Sequence, residues 1–234
     1  MDIKGIENID WEDLAAFKYN EENYLIIADT GDNYAQRDEY FLHIIREPLL
    51  TKKHYFDPII VTPNWSISYT YADGARDCES VAVDMVNEKI LLLSKREQQP
   101  ILFELPLQSN KSYPNDLNSN KQQIATRLGA IPSFPEPANP EFSFIDLLGY
   151  STQPTAMDIS NNGRFIAVLT YDSAFVFETN GSTDWLSILS SLPTRYELPS
   201  LKQAESLAFG SDSGSLYVTT EKLPAPIIEI PIKL

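Results

Sequence analysis

The sequence predicts an all-β protein, a β-propeller of four repeat units. Three observations carry that prediction: a strand-turn-strand pattern that recurs four times, a third strand after each hairpin, and few helix signals. Two copies of the pattern align without a gap. Glu79-Ser80-Val81-Ala82-Val83-Asp84 leads through Asn87-Glu88 to Lys89-Ile90-Leu91-Leu92-Leu93-Ser94, and Glu205-Ser206-Leu207-Ala208-Phe209 leads through Ser211-Asp212-Ser213-Gly214 to Ser215-Leu216-Tyr217-Val218-Thr219-Thr220. Glu12-Asp13-Leu14-Ala15-Ala16-Phe17 followed by Tyr24-Leu25-Ile26-Ile27-Ala28 is one residue longer between its strands, and Thr155-Ala156-Met157-Asp158-Ile159-Ser160 followed by Arg164-Phe165-Ile166-Ala167-Val168-Leu169-Thr170 is one residue shorter. Apolar runs flanking Asn, Asp, Ser and Gly are hairpin signals.

The third strands are Tyr40-Phe41-Leu42-His43-Ile44-Ile45, Ile101-Leu102-Phe103-Glu104-Leu105, Ala174-Phe175-Val176-Phe177-Glu178 and Ile227-Ile228-Glu229-Ile230, so each unit is an antiparallel meander. Units begin near 12, 79, 155 and 205, spacings that suit blades of roughly 40 to 50 residues carrying inserts. The chain, 1–234, therefore reads as a single propeller domain with a loop-rich insertion at 107–150, polar at first (108–123) and then rich in proline (131–140). The one short helix expected lies at 182–192, with Asp184 or Thr183 as its cap ahead of Trp185, Leu186, Ile188 and Leu189. Residues 1–8 read as a lone outer strand. Pairing of Ile3-Lys4-Gly5-Ile6 with Ile227-Ile228-Glu229-Ile230 would close a four-unit ring; without it the ring is open, and exposed apolar faces would favour a homodimer. The favoured expectation is the open, incomplete ring.

The 234 residues are 43% hydrophobic, enough for one or two domains, and 18 Lys and Arg against 33 Asp and Glu give a net charge of −15. That acidity argues against nucleic acid and anionic membranes as partners, leaving a small molecule or a protein. Runs such as Ile90-Leu91-Leu92-Leu93 are too short to span a bilayer, and the start shows no apolar signal peptide, so a soluble chain is expected. One cysteine, Cys78, and two histidines, His43 and His54, leave no zinc-type cluster, and any metal needs oxygen ligands. Cys78 reads as a small buried hydrophobe and His43 as structural. No G-x-S-x-G elbow, phosphate-cradling glycine loop or H-E-x-x-H motif is present.

The chain resembles a bacterial family of uncharacterised propeller proteins, loosely akin to phytase-like and gluconolactonase-like propellers. The residues that carry the likeness are Asn8-Ile9-Asp10-Trp11-Glu12-Asp13-Leu14-Ala15, Asp29-Thr30-Gly31-Asp32-Asn33, Tyr71-Ala72-Asp73-Gly74-Ala75-Arg76-Asp77-Cys78-Glu79-Ser80, Lys95-Arg96-Glu97, Asp158-Ile159-Ser160-Asn161-Asn162-Gly163-Arg164, Thr170-Tyr171-Asp172 and Ala204-Glu205-Ser206-Leu207-Ala208. The resemblance implies a larger propeller with a further blade ahead of the Asp-Trp-Glu-Asp motif, and relatives that are exported. This chain would then be a fragment.

Innermost strands line a propeller's channel, so an acidic residue at one place in each unit gathers charge near the axis. Glu12, Glu79 and Glu205 take that place; Thr155 holds it in the third unit, where Asp158 supplies the carboxylate three positions on. Carboxylates held close repel unless a cation lies between them, and a hard cation with oxygen ligands, calcium before magnesium, suits such a ring. The other reading is that these side chains accept backbone N–H bonds and face channel water. Asp29, Asp32 and Asn33 around Gly31 form either a ligand-aiming turn or a plain Asx-type turn. In Asp73-Gly74-Ala75-Arg76-Asp77, Arg76 either anchors an anion or closes a solvated salt bridge. Asp29, Lys95, Tyr171 and Glu221 follow the second strand of each unit and make a mixed polar set suited to binding. The function expected is calcium binding with a ligand-binding or partner-binding face; a calcium-dependent hydrolase of esters, lactones or phosphoesters and a metal-free interaction scaffold are the alternatives.

Overall fold

Apolar side chains on both faces of a strand have no stable place except between two packed layers, and the second strands of the units have this character. The computed structural model describes residues 1–52, 57–108, 122–136, 151–199, 201 and 203–232. Most of the expected insertion at 107–150, and His54, lie outside the described residues.

The first meander is β2 (Trp11–Tyr19), β3 (Glu22–Asp29), β4 (Tyr40–Arg46) and β6 (Trp65–Tyr71). The second is β7 (Cys78–Asp84), β8 (Lys89–Ser94), β9 (Ile101–Pro106) and β10 (Gln123–Ala130). Their outer strands β6 and β10 pair in parallel, which joins the two meanders into one eight-stranded sheet. A four-stranded sheet follows, β11 (Pro154–Ile159), β12 (Phe165–Thr170), β13 (Ser173–Glu178) and β14 (Thr194–Glu197). Last comes a three-stranded sheet, β15 (Ala204–Phe209), β16 (Ser215–Thr220) and β17 (Ile228–Pro231). β10 lies inside the span read as insertion, where the charge and proline around it hide an outer strand only partly buried.

The layers stack through alternate residues. On β8, Ile90 and Leu92 enter the core shared by the first two meanders, while Leu91 and Leu93 enter the core shared with the third. On β12, Ile166 and Val168 face that second core, and Phe165, Ala167 and Leu169 face the core shared with the last sheet. A two-residue period with both faces covered is the packing signature of stacked sheets, and a fully buried Leu or Ile stabilises such a core by about 1.5–3 kcal/mol. β2, in contrast, buries Asp13, Ala15 and Phe17 while Leu14, Ala16 and Lys18 are exposed. Strands β2, β7, β11 and β15 approach one another as the innermost strands of the fold.

The single helix among the described residues, α1 (Trp185–Leu189), is capped by Asp184, whose carboxylate accepts the Ser187 N–H at 3.2 Å. Trp185, Ile188 and Leu189 dock on the second core, and the Trp185 indole donates to Asp84 Oδ2 at 2.7 Å. The N-terminal strand β1 (Asp2–Ile3) pairs in parallel with β5 (Ile60–Val61), and Ile3 packs with Ile27 and Ile45 against the first meander. Among the described residues β17 pairs with β16 alone. No helix of the described residues is long and apolar enough to cross a membrane.

Candidate functional site

Four register shifts build the site. Each innermost strand carries a β-bulge near its start, between Trp11 and Leu14, Cys78 and Ser80, Pro154 and Ala156, and Ala204 and Ser206. A bulge leaves an extra residue outside the ladder and re-aims its side chain. The extra residues are Glu79, Thr155 and Glu205, with Glu12 in the longer first bulge, so the recurring position found in the sequence is where the strands depart from regular pairing.

Glu12 and Glu79 meet, joined by Asp77: one carboxylate oxygen from each lies within 4.8 Å of the others. Asp10 adds a fourth carboxyl, hydrogen-bonded to Glu12. Burial first, then Glu79 and Asp10, push the Glu12 carboxyl up to about 9, and burial raises Asp10 as well. Gly31 makes the close approach possible, since a Cβ there would stand 2.4 Å from Glu12 Oε1 and 2.5 Å from Asp10 Oδ2.

Two cations answer part of this charge. Asp77, with a fully buried side chain, accepts Arg96 Nε at 2.7 Å and the Asp32 N–H at 2.9 Å. Glu79 forms a salt bridge with Lys95, their side chains only 6% and 2% exposed. Burial raises Glu79 to about 7 against the pull of Lys95. For Lys95, burial favours the neutral amine, but Glu79 and then Tyr171 outweigh it and hold the ammonium above its usual range. Lys95 therefore stays charged. Its Nζ also donates to the Tyr171 hydroxyl at 2.9 Å, and that hydroxyl reaches Glu205 Oε1 at 3.3 Å, where the Gln203 amide also donates at 3.3 Å.

Other expected site residues have different partners. Both oxygens of Asp158 accept backbone N–H groups, from Ile159 and from Phe209, each at 2.8 Å, so it ties β11 to β15 and stands apart from the acidic cluster. Burial pushes it up to about 7. Thr155 ties the same strands through the Ala204 carbonyl at 2.8 Å. Asp13 has the same task deeper in the fold, accepting the N–H of Val81 at 2.8 Å and of Met157 at 3.3 Å. Asp29 accepts the N–H of Asp10 at 3.1 Å and pairs with Arg37 at 2.8 Å, which fixes the segment that carries Asp10 and Glu12. Asp32 caps its own turn through the N–H groups of Gln36 and Arg37 and the Tyr40 hydroxyl, donors that outweigh its burial and hold its carboxyl below the usual range. Asn33 accepts from Arg96 beside Asp77.

Arg76 is buried and held by rings and carboxylates. It lies between the rings of Tyr71 and Phe103 and pairs with Asp73 at 2.5 Å and Glu97 at 2.7 Å. Glu221 pairs with Lys222 at the surface. Cys78 is buried, which pushes its thiol up to about 12, and buried His43 has Nδ1 2.9 Å from Ser66 Oγ.

Asp10 and Arg96 are the members sequence reasoning left out. A signal for Asp10 exists: Asp10-Trp11-Glu12 and Asp77-Cys78-Glu79 share one spacing, while the later units have Gln153-Pro154-Thr155 and Gln203-Ala204-Glu205. The starts of the innermost strands are acid-rich in the first two meanders and carry an amide, Gln153 or Gln203, in the last two.

No family model matches the chain, and no curated protein matches its sequence. Among solved structures, the Malassezia sympodialis allergen Mala s 1 superposes with a TM-score of 0.50 at 11% identity, covering 93% of this chain and 75% of that one. A gluconolactonase from Xanthomonas campestris gives a TM-score of 0.47 at 9% identity, over 93% of this chain and 56% of the enzyme. The β-propeller domain of Myceliophteria thermophila Cps50 gives 0.43 at 12%, over 95% and 54%. The chain thus spans about half the length of the last two. These are likenesses of fold: an all-β protein of β-propeller kind.

Proposed function

We propose that the chain is a β-propeller of four repeat units, a partial version of a larger ring, that binds a divalent cation at Glu12, Asp77 and Glu79 and presents a ligand-binding face around Lys95, Arg96 and Tyr171. One observation carries the reading. Five carboxyls, Asp10, Glu12, Asp29, Asp77 and Glu79, converge where, among the described residues, Arg37, Lys95 and Arg96 supply positive charge, and with all the carboxyls ionised the imbalance of two is the charge of one divalent ion. Burial first, and then the neighbouring Glu79 and Asp10 carboxyls, push Glu12 up to about 9, so that it holds a proton a cation would displace. An all-oxygen donor set suits a hard cation, calcium before magnesium because its coordination is less demanding, with water completing the shell. Gly31 supports the fit, because any larger residue would press on the two carboxyls.

Calcium titration by calorimetry is the test, with Glu79→Gln as the variant. Calcium should raise the melting temperature of the parent, since stabilisation follows occupancy of the folded state, and the variant should lose most of that gain. A parent whose melting temperature ignores excess calcium would leave the interaction scaffold as the better reading. A panel of lactones and phosphomonoesters separates binding protein from hydrolase: calcium-dependent turnover would make the bound ion a Lewis acid on an ester or phosphoester.

A further inference from the structure

Two Asn-Gly pairs, Asn162-Gly163 and Asn180-Gly181, lie at the same end of the third meander. They are chemically alike in sequence and unlike in structure. Asn162 is held: its side-chain oxygen accepts the Ser160 hydroxyl at 2.9 Å and the Arg164 N–H at 3.0 Å, and the Gly163 N–H donates to the Ser160 carbonyl at 2.8 Å. Asn180 is exposed, and its side chain has no hydrogen-bond partner among the described residues. The Gly181 N–H has only a long bond of 3.2 Å to Thr179 Oγ1. Asn180 and Gly181 have φ of 51° and 77°, and the Ser182 N–H closes the turn on the Thr179 carbonyl at 2.9 Å. Two successive left-handed residues closed in this way form a type I′ turn.

We propose that Asn180 is a site of spontaneous deamidation in this protein and that folding spares Asn162. The Gly181 backbone nitrogen attacks Asn180 Cγ. The new C–N bond forms as the bond to the side-chain amide nitrogen breaks, and ammonia leaves with the proton that Gly181 gives up. Water then opens either C–N bond of the five-membered imide, yielding aspartate or isoaspartate with no change of oxidation state. The attack needs a side chain free to turn onto a backbone nitrogen, with no side chain on the next residue to obstruct it. Asn180 has a free side chain and no side chain on the next residue, and the rotation about its Cα–C bond that brings Cγ onto the Gly181 nitrogen opens only an exposed turn closed by the Ser182 N–H on the Thr179 carbonyl. At Asn162 the amide oxygen and the attacking nitrogen are both engaged, and those bonds must break first.

The product has consequences nearby. It adds a carboxylate to the turn, and the isoaspartyl form lengthens the main chain by a methylene just ahead of Asp184 and Trp185. That strains the cap and the anchor of α1 on Asp84.

The experiment is incubation of the full chain at mildly alkaline pH, followed by peptide mapping and enzymatic methylation of isoaspartyl groups. A urea-unfolded sample gives the intrinsic rate of each pair. Relative to their own unfolded rates, Asn180 should be slowed by the opening of its turn and Asn162 at least about tenfold more, the factor that corresponds to about 1.4 kcal/mol. Ser160→Ala, which removes one bond to the Asn162 oxygen, should bring Asn162 into reaction. Equal protection of the two sites, or faster loss of Asn162 in the folded parent, would overturn the proposal. A Ser160→Ala protein that folds and still protects Asn162 would overturn the stated cause.

Discussion

Lys95→Met tests the charge argument most sharply, because it removes the cation that the chain itself supplies. Glu79 lies both in the carboxylate cluster and in the Lys95 ion pair, so a metal ion and the Lys95 ammonium compete for it. Charges of +1 and +2 about 5 Å apart repel by about 7 kcal/mol at an effective dielectric of about 20. Lys95 can relieve most of this by leaning toward Tyr171, which already accepts from it at 2.9 Å and passes the bond on to Glu205. If about 1.4 kcal/mol remains unrelieved, Lys95→Met binds calcium about tenfold more tightly. The metal-free variant should be less stable, because breaking a buried pair costs about 3–5 kcal/mol, a loss that Glu79 softens by taking up a proton. The signature is a lower melting temperature in chelator, a larger gain on adding calcium and a smaller dissociation constant by calorimetry. Lys95→Arg, which keeps the charge, should stay near the parent in affinity. A folded Lys95→Met protein with unchanged or weaker calcium affinity would refute the competition.

Stability without metal should fall as pH rises. Glu12 and Glu79 have folded values near 9 and 7, above their unfolded ones, so their contribution is fully present below about pH 4.5 and falls as pH rises from there, at up to about 1.4 kcal/mol per group per pH unit, until it is lost by about pH 7 for Glu79 and about pH 9 for Glu12. Thermal melts in chelator from pH 5 to 8 should show the decline, and a melting temperature that climbs over that range would contradict it. Gly31→Ala drives a Cβ to 2.4 Å from Glu12 and should cost about 1–3 kcal/mol by urea denaturation while removing calcium stabilisation. Asp13→Ala strands the N–H groups of Val81 and Met157 between three inner strands, and the same denaturation should show a loss of about 2–4 kcal/mol with calcium affinity little changed if the strands hold their places.

The meanders were legible because their packing writes a period of two on both faces: Ile90, Leu91, Leu92 and Leu93 all read as apolar since β8 feeds two cores at once. The outer strand β10 was not, because Gln123–Ala130 buries little and its pairing with β6 crosses between meanders, a long-range contact that no local pattern encodes. The site shows the same division. Aligning the units located Glu12, Glu79 and Glu205 as one recurring position, and each proves to lie at a bulge. Alignment could not say that a bulge turns Glu12 and Glu79 toward a shared point while Lys95 and Tyr171 stand between Glu79 and Glu205. Nor could it separate a carboxylate that faces the channel from one spent on the main chain, as Asp158 is with both oxygens on N–H groups. A repeat equates positions, but the surplus of acid in the first two meanders and of amide in the last two breaks that symmetry. The cluster therefore lies between the starts of β2 and β7, where Asp-x-Glu occurs twice, and does not take in Asp158 or Glu205.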